Sequence, residues 1–268
     1  MIRSRTTQLV VLLVTAFALP WSVWGSAIAQ QHGLLSFRLP QGVALWTLLP
    51  ATVLVAALSG RGALRELGRQ LLRFRTSPRW YAVALLLPVG IAAMALLTGA
   101  VLRTPVALGQ TMPLVPALIY LGYGTGLFLL TEELAWRGFA LPRLLERFGP
   151  GVASILLGVV WALWHLPMFF VPTSGLAGQS YPAFALFAIA TTALLTWLYR
   201  VTGASLPVLA LCHAACDATY SYTGIVGDNH LLMWSAAGFT AALAAIVLTV
   251  ERARGRATAP QPVPARTA

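Results

Sequence analysis

The chain has 268 residues, of which 58% are hydrophobic and 9% are charged, and its mean hydropathy is +0.78. A water-soluble domain carries roughly a quarter charged residues, so this composition excludes a surface that faces mainly water. The net charge of +11 comes from arginines, most of which flank apolar stretches. That distribution is typical of the cytoplasmic loops of membrane proteins, not of a nucleic-acid-binding face.

Eight apolar segments along the chain reach or approach the length that crosses a bilayer as a helix. The predicted segments are 8–29, 42–59, 80–102, 114–148, 152–171, 181–199, 203–222 and 231–250. The fourth is too long for a simple span, and its end, with Arg143 and Arg147, is predicted to emerge into water. Gly149-Pro150-Gly151 separates it from the fifth. This pattern predicts an all-α polytopic bundle of about eight transmembrane helices.

The arginines also predict an orientation. If the N-terminus lies in the cytoplasm, the arginines of the loops and termini all fall on the cytoplasmic side except Arg38 and Arg103. The positive-inside rule therefore predicts a cell-membrane protein with both termini in the cytoplasm. Residues 1–29 also resemble a cleaved signal peptide, which would leave seven helices in the same orientation. A helix that lies on the membrane surface is predicted in the basic loop at 60–79, where four arginines recur at four-residue steps. They are Arg61, Arg65, Arg69 and Arg73.

Four regions follow from these segments. Residues 1–113 contain the first three transmembrane helices and the basic loop at 60–79. Residues 114–222 form the core that holds the ionisable side chains discussed below. The last transmembrane helix lies within 223–250, and the arginine- and proline-containing residues 251–268 are predicted to be a disordered basic tail.

Six ionisable side chains fall inside apolar segments, where each charge costs roughly 2.5–3.5 kcal/mol on insertion scales. They are Glu132, Glu133, Arg137, His165, His213 and Asp217. In a helical hairpin that turns at Pro150, Glu132 and His165 lie at similar depth, because helices rise ~1.5 Å per residue. His213 lies about as deep in the seventh segment by the same measure. This coincidence predicts one shared site inside the bilayer.

The spacing of these residues indicates that they have different roles. Glu133 and Arg137 are four residues apart on a helix and are predicted to form a structural ion pair. Glu132 is then left to act with His165, since a carboxylate and an imidazole together can orient and deprotonate a water. His213 and Asp217, also four apart, either present hydrogen-bond donors to an oxyanion or only join neighbouring helices.

Three motifs within about 114–222 resemble those of the CPBP family, which contains the type II CAAX prenyl endopeptidases and the bacterial Abi proteins. Residues 131–139, TEELAWRGF, resemble its EExxxR motif. Residues 161–167, WALWHLP, resemble its second motif, with an aromatic residue shortly before a histidine. Residues 213–217, HAACD, resemble its third motif, HxxxN or HxxxD. Their order and spacing also match.

The resemblance implies an intramembrane glutamic endopeptidase. No cofactor is expected, since the sequence contains no metal-binding motif. The resemblance also implies that Glu132 and His165 activate the water and that Glu133 and Arg137 set the geometry. His213 and Asp217 would stabilise the oxyanion. The implied partners are the lipid bilayer and a peptide or membrane-protein substrate.

Two positions depart from the family pattern. Trp161 stands where phenylalanine is common, which is a conservative change. Asp217 stands where the prenyl proteases have asparagine. An ionised aspartate cannot donate a hydrogen bond, so Asp217 must either be protonated or instead orient His213.

Other functions stay open at the level of sequence. The acidic residues and histidines, with Cys212 and Cys216, could supply zinc ligands for a metalloprotease, although no HExxH motif is present. A non-catalytic immunity or scaffold protein is compatible with the same fold. Intramembrane acids also serve as proton relays in transporters, but the two halves show no repeat symmetry.

Overall fold

The computed structural model describes residues 2, 4–106, 108–110, 112–227 and 229–257. Regular structure within these residues is entirely helical, which confirms the predicted all-α class. The α-helices are α1 (Arg5–Gln31), α2 (Val43–Trp46), α3 (Leu48–Ser59), α4 (Arg61–Leu71), α5 (Pro78–Val101), α6 (Leu114–Leu130), α7 (Leu141–Trp164), α8 (Tyr181–Val201), α9 (Leu206–Thr223) and α10 (His230–Ala257). A π-helix (Glu133–Ala140) precedes α7, and a 3₁₀ helix (Leu166–Phe170) follows it.

Within the described residues, five helical stretches are long and apolar enough to cross a membrane, and the protein is therefore a multi-pass membrane protein, as predicted. They are Arg5–Gln31, Pro78–Val101, Glu133–Phe170, Tyr181–Val201 and His230–Ala253. Val43–Ser59 and Leu114–Leu130 are shorter apolar helices. A helix thus occupies each predicted segment, while the count of eight spans and the side on which the termini lie stay predictions.

Several helix boundaries have simple local causes. α5, α8 and α9 each begin next to an extended serine, with a proline in the first turn. Proline suits that position because the first-turn N–H groups have no partner inside the helix. α9 ends at Thr223, and the next residue, Gly224, has a φ of 72°, the left-handed conformation that glycine adopts without strain.

The basic loop forms a shorter helix than predicted. α4 ends at Leu71, so Arg73 lies beyond the helix and outside the predicted stripe of four arginines. Its guanidinium Nε donates to the carbonyl oxygen of Thr202 at 3.2 Å. The arginine therefore ties the chain after α4 to the α8–α9 turn.

Two further details differ from the sequence prediction. Arg143 does not emerge into water, because the start of α1 covers it: its Nε donates to Gln8 Oε1, and its side chain is buried. The region predicted as a disordered tail begins as helix, since α10 runs to Ala257. Residues 258–268 lie outside the described residues.

The helices pack so that α9 lies in the middle. α6 and α5 pack against α9, α7 packs against α8, and α10 fills the space between α8 and α5. Gly149, with φ 70° and ψ 172°, kinks the long helical stretch between the π-helix and the end of α7. This reversal brings the second half of α7 back beside the π-helix.

The α7–α8 contact depends on Gly158. A Cβ atom built on Gly158 would lie 2.6 Å from the Cα atom of Ile189, closer than real atoms approach. Small residues allow this close backbone contact between helices in a membrane.

We predict that Gly158→Ala destabilises the protein by about 1–3 kcal/mol, the usual penalty for overpacking a well-packed interface. Gly90→Ala is the matched control, because a Cβ at Gly90 meets nothing within 4 Å. Thermal unfolding in detergent micelles measures both. Equal melting temperatures for the two variants would contradict the role of Gly158.

Candidate active site

The two glutamates lie where regular α-helix gives way to a π-helix. Thr131 follows the last residue of α6 with φ −114° and ψ −88°, and Glu132 comes next, directly before the π-helix. At its far end, the N–H of Leu141 donates to the carbonyl oxygen of Trp136, five residues back. Wider π-turns of this kind are frequent at functional sites. Every residue of this π-helix is buried, including Glu133 and Arg137.

Glu133 is bonded twice through one oxygen. Arg137 Nη1 lies 3.0 Å from Glu133 Oε1, and His213 Nδ1 lies 2.8 Å from the same atom. Arg137 Nη2 also reaches Thr192 Oγ1 on α8 at 3.4 Å. Glu133 and Arg137 are both fully buried. The predicted Glu133–Arg137 ion pair is therefore confirmed, and it also joins the π-helix to α8 and α9.

A cavity of about 300 Å³ lies on the other side of this ion pair. Four of the six predicted site residues line it: Glu132, His165, His213 and Asp217. Glu133 and Arg137 lie behind the cavity wall. The structure thus brings the glutamate and both histidines to one cavity and separates the cavity-facing carboxylate of Glu132 from the ion-paired carboxylate of Glu133.

Trp161 is the central contact of this site. Its indole Nε1 donates to Glu132 Oε2 at 2.6 Å, and Arg137 lies over its ring at 4.5 Å from the centroid. The rings of His165 and His213 both meet it edge-on, at centroid distances of 5.2 and 5.3 Å. Phenylalanine, the residue common at this position in the family, has no N–H to donate. The prediction that Trp161 is a conservative change was therefore wrong.

The tautomer of His165 follows from its main-chain contact. Nδ1 lies 2.8 Å from the carbonyl oxygen of Trp161, and a carbonyl only accepts, so Nδ1 carries the proton. In the neutral ring, Nε2 is then a hydrogen-bond acceptor. Within the described residues, Glu132 and His165 share no direct hydrogen bond; Trp161 contacts both of them.

Two residues of the cavity wall that nothing in the sequence singled out contact the predicted site residues directly. The Tyr120 hydroxyl donates to Asp217 Oδ2 at 3.2 Å, and the ring of Phe128 stacks on His213 at a centroid distance of 3.9 Å and an angle of 7°. Both belong to α6, in an apolar segment without charge. Only their position one helix away from α9 makes them part of the site.

Across the described part of the chain, no three His, Cys, Asp or Glu side chains come together in a group that could hold a metal ion. Cys212 and Cys216 are buried, unpaired thiols on α9.

Comparison with known proteins adds two findings. Residues 111–219 match the family described as type II CAAX prenyl endopeptidase Rce1-like. Over 43 residues the chain is 51% identical to CAAX prenyl protease 2 of Methanococcus maripaludis. That stretch is 16% of this chain and 16% of the relative, so most of the relative's length is not matched. The family match includes all six residues singled out from the sequence. The resemblance inferred from the three motifs is thereby confirmed: residues 111–219 of this chain are similar to the Rce1-like type II CAAX prenyl endopeptidases.

Proposed function

We propose that this protein is an intramembrane endopeptidase that hydrolyses a peptide bond with a water activated by Glu132 and His165. The observation that carries the proposal is the convergence of Glu132, His165 and His213 on one cavity. Glu133 and Arg137 neutralise each other behind it. Ionisable side chains at membrane depth are expensive and usually functional, and the family match supports this particular chemistry.

In this mechanism, the water lies between Glu132 and His165. It donates one hydrogen bond to the Glu132 carboxylate and the other to His165 Nε2, the acceptor nitrogen. Glu132 takes a proton as the water oxygen attacks the peptide carbonyl carbon. The tetrahedral intermediate then collapses, the C–N bond breaks, and the proton from Glu132 passes to the leaving amine.

His213 is proposed as an oxyanion donor. Its Nδ1 bonds to Glu133, and stacking on Phe128 fixes the plane of its ring. A protonated ring held in this way can donate from Nε2 to the negative oxygen of the intermediate. Pre-oriented donors of this kind are effective because they need no reorganisation as charge develops.

The proposed substrate is a peptide or membrane protein that reaches the cavity from the bilayer. Apolar side chains make up much of the rest of the cavity wall, among them Leu45, Phe184, Phe187 and Met233. The name of the Methanococcus relative suggests a prenylated CAAX end as one class to test. By the arginine distribution, both termini are proposed to lie in the cytoplasm.

We predict that Glu132→Gln lowers the cleavage rate by about 10²–10⁴-fold, the usual contribution of a general base. The purified protein is incubated in micelles with a farnesylated CAAX peptide, the same peptide unmodified, and a mixture of membrane-protein fragments, and products are identified by mass spectrometry. Glu66→Gln is the matched control, because Glu66 is paired with Arg69 on α4, away from the cavity. Cleavage by the Glu132→Gln variant at the wild-type rate, or no cleavage of any of the three preparations by wild type, would contradict the proposal.

Trp161→Phe tests the bond that orients Glu132. It removes the N–H donor but keeps an aromatic ring in place. We predict a rate about tenfold lower, since hydrogen bonds to charged groups contribute about 1.5–3 kcal/mol, together with a lower melting temperature, because the smaller ring also leaves buried space unfilled. A rate equal to that of wild type would show that Glu132 does not depend on this bond.

We propose further that catalysis needs no metal ion, because in the proposed mechanism Glu132 and His165 activate the water and His213 stabilises the oxyanion. Cleavage is expected to persist after dialysis against a strong chelator. Activity that is lost on chelation and restored by zinc would instead favour the metalloprotease alternative.

A further inference from the structure

We propose that Tyr120 is a positioning residue that holds Asp217 as a neutral hydrogen-bond donor to the oxyanion; this inference rests on the proposed peptidase function. Tyr120 lies on α6, and its hydroxyl reaches Asp217 Oδ2 at 3.2 Å. Both residues line the cavity together with Glu132 and His213. The pair therefore stands in the same wall as the proposed oxyanion donor His213.

The charges around the cavity favour a neutral Asp217. Glu132 and Glu133 contribute two negative charges, and Arg137 with a protonated His213 contributes two positive ones. The sum is zero, so an ionised Asp217 would leave an uncompensated charge inside an apolar bundle, which is costly. It would also repel the oxyanion that forms beside it. A neutral carboxyl avoids both penalties.

Hydrogen-bond directions then define what Tyr120 does. A phenol has one O–H, and here it donates to Oδ2 of Asp217. In a neutral carboxyl, the oxygen that accepts this bond acts as the carbonyl oxygen, and Oδ1 carries the proton. Tyr120 thus selects which oxygen is protonated and keeps the O–H of the other oxygen available to the cavity. The result is one acceptor and one donor on a single side chain, as in the amide of asparagine.

Aromatic packing fixes the tyrosine in this place. The Tyr120 ring meets Phe128 edge-on at a centroid distance of 6.5 Å, and Phe128 in turn stacks on His213. Tyr120→Phe keeps this ring and removes only the hydroxyl. The variant therefore separates the hydrogen bond to Asp217 from the packing of α6.

The experiment is a double-mutant cycle on the purified full chain in micelles, with the substrate cleaved fastest by wild type. Tyr120→Phe is expected to lower kcat about tenfold at similar KM. Asp217→Ala is expected to lower it about 10²–10³-fold, the cost of an oxyanion donor. Asp217→Asn is expected to restore at least about tenfold of that loss, since the amide donates and accepts in the same directions. In the Asp217→Ala background, Tyr120→Phe should cost less than about twofold, because its partner is gone.

Tyr123→Phe is the matched control. Tyr123 lies one turn further along α6 with 58% of its surface exposed, so the same chemical change there should leave kcat and melting temperature unchanged. The inference is overturned by any of three outcomes: Tyr120→Phe behaves like Tyr123→Phe, Tyr120→Phe costs as much in the Asp217→Ala background as in wild type, or Asp217→Asn is as slow as Asp217→Ala. These outcomes bear on Tyr120 only if the Glu132→Gln variant is inactive, since that result supports the peptidase function on which the inference rests. An active Glu132→Gln protein would instead refute the peptidase function itself.

Discussion

Every charge in the interior of this bundle has to be neutralised or bonded there, because neither lipid nor packed apolar side chains can solvate it. The fully buried Glu133–Arg137 pair satisfies this requirement by neutralising two charges against each other. One oxygen of Glu133 holds both Arg137 and His213, and Arg137 also reaches Thr192. These bonds connect the π-helix to α8 and α9. They thereby fix the position from which the neighbouring Glu132 faces the cavity.

Adjacent glutamates therefore differ through their surroundings and not through their chemistry. Glu133 points to the arginine and is fully buried behind the cavity wall. Glu132 points to the cavity, and the N–H of Trp161 is its direct partner. A structural pair and a reactive carboxylate can thus occupy consecutive positions, because consecutive side chains of a helix point in different directions. The wide turn of the π-helix is the local feature that sets these directions.

Trp161 and Asp217, the two departures from the family pattern, each have a specific partner. The indole N–H of Trp161 donates a hydrogen bond to Glu132, and Asp217 accepts one from the hydroxyl of Tyr120. In both cases a residue with different hydrogen-bonding capacity is matched by a group on a neighbouring helix. Neither position shows its partner within its own motif. Their consequences appear only when the neighbouring helices are known.

Much of the site was accessible from the sequence because membrane helices leave strong signals. Six residues stood out because charged groups are costly in lipid. The rise per residue of a helix then predicted that Glu132, His165 and His213 lie at a similar depth in the bilayer. Composition and hydropathy likewise determined the all-α class and the multi-pass character. Helix ends were less accessible: Arg73 bonds to the distant α8–α9 turn and Arg143 to α1, and no local pattern encodes either contact.

What the sequence determined by itself was therefore which residues are too polar for their surroundings, and the four-residue spacing that pairs Glu133 with Arg137. Only the tertiary structure decided which side chains meet them from other helices. Tyr120 and Phe128 belong to an ordinary apolar segment, and nothing in their own sequence marks them. They join the site because α6 packs against α9, and such contacts between distant segments depend on the packing of the whole bundle.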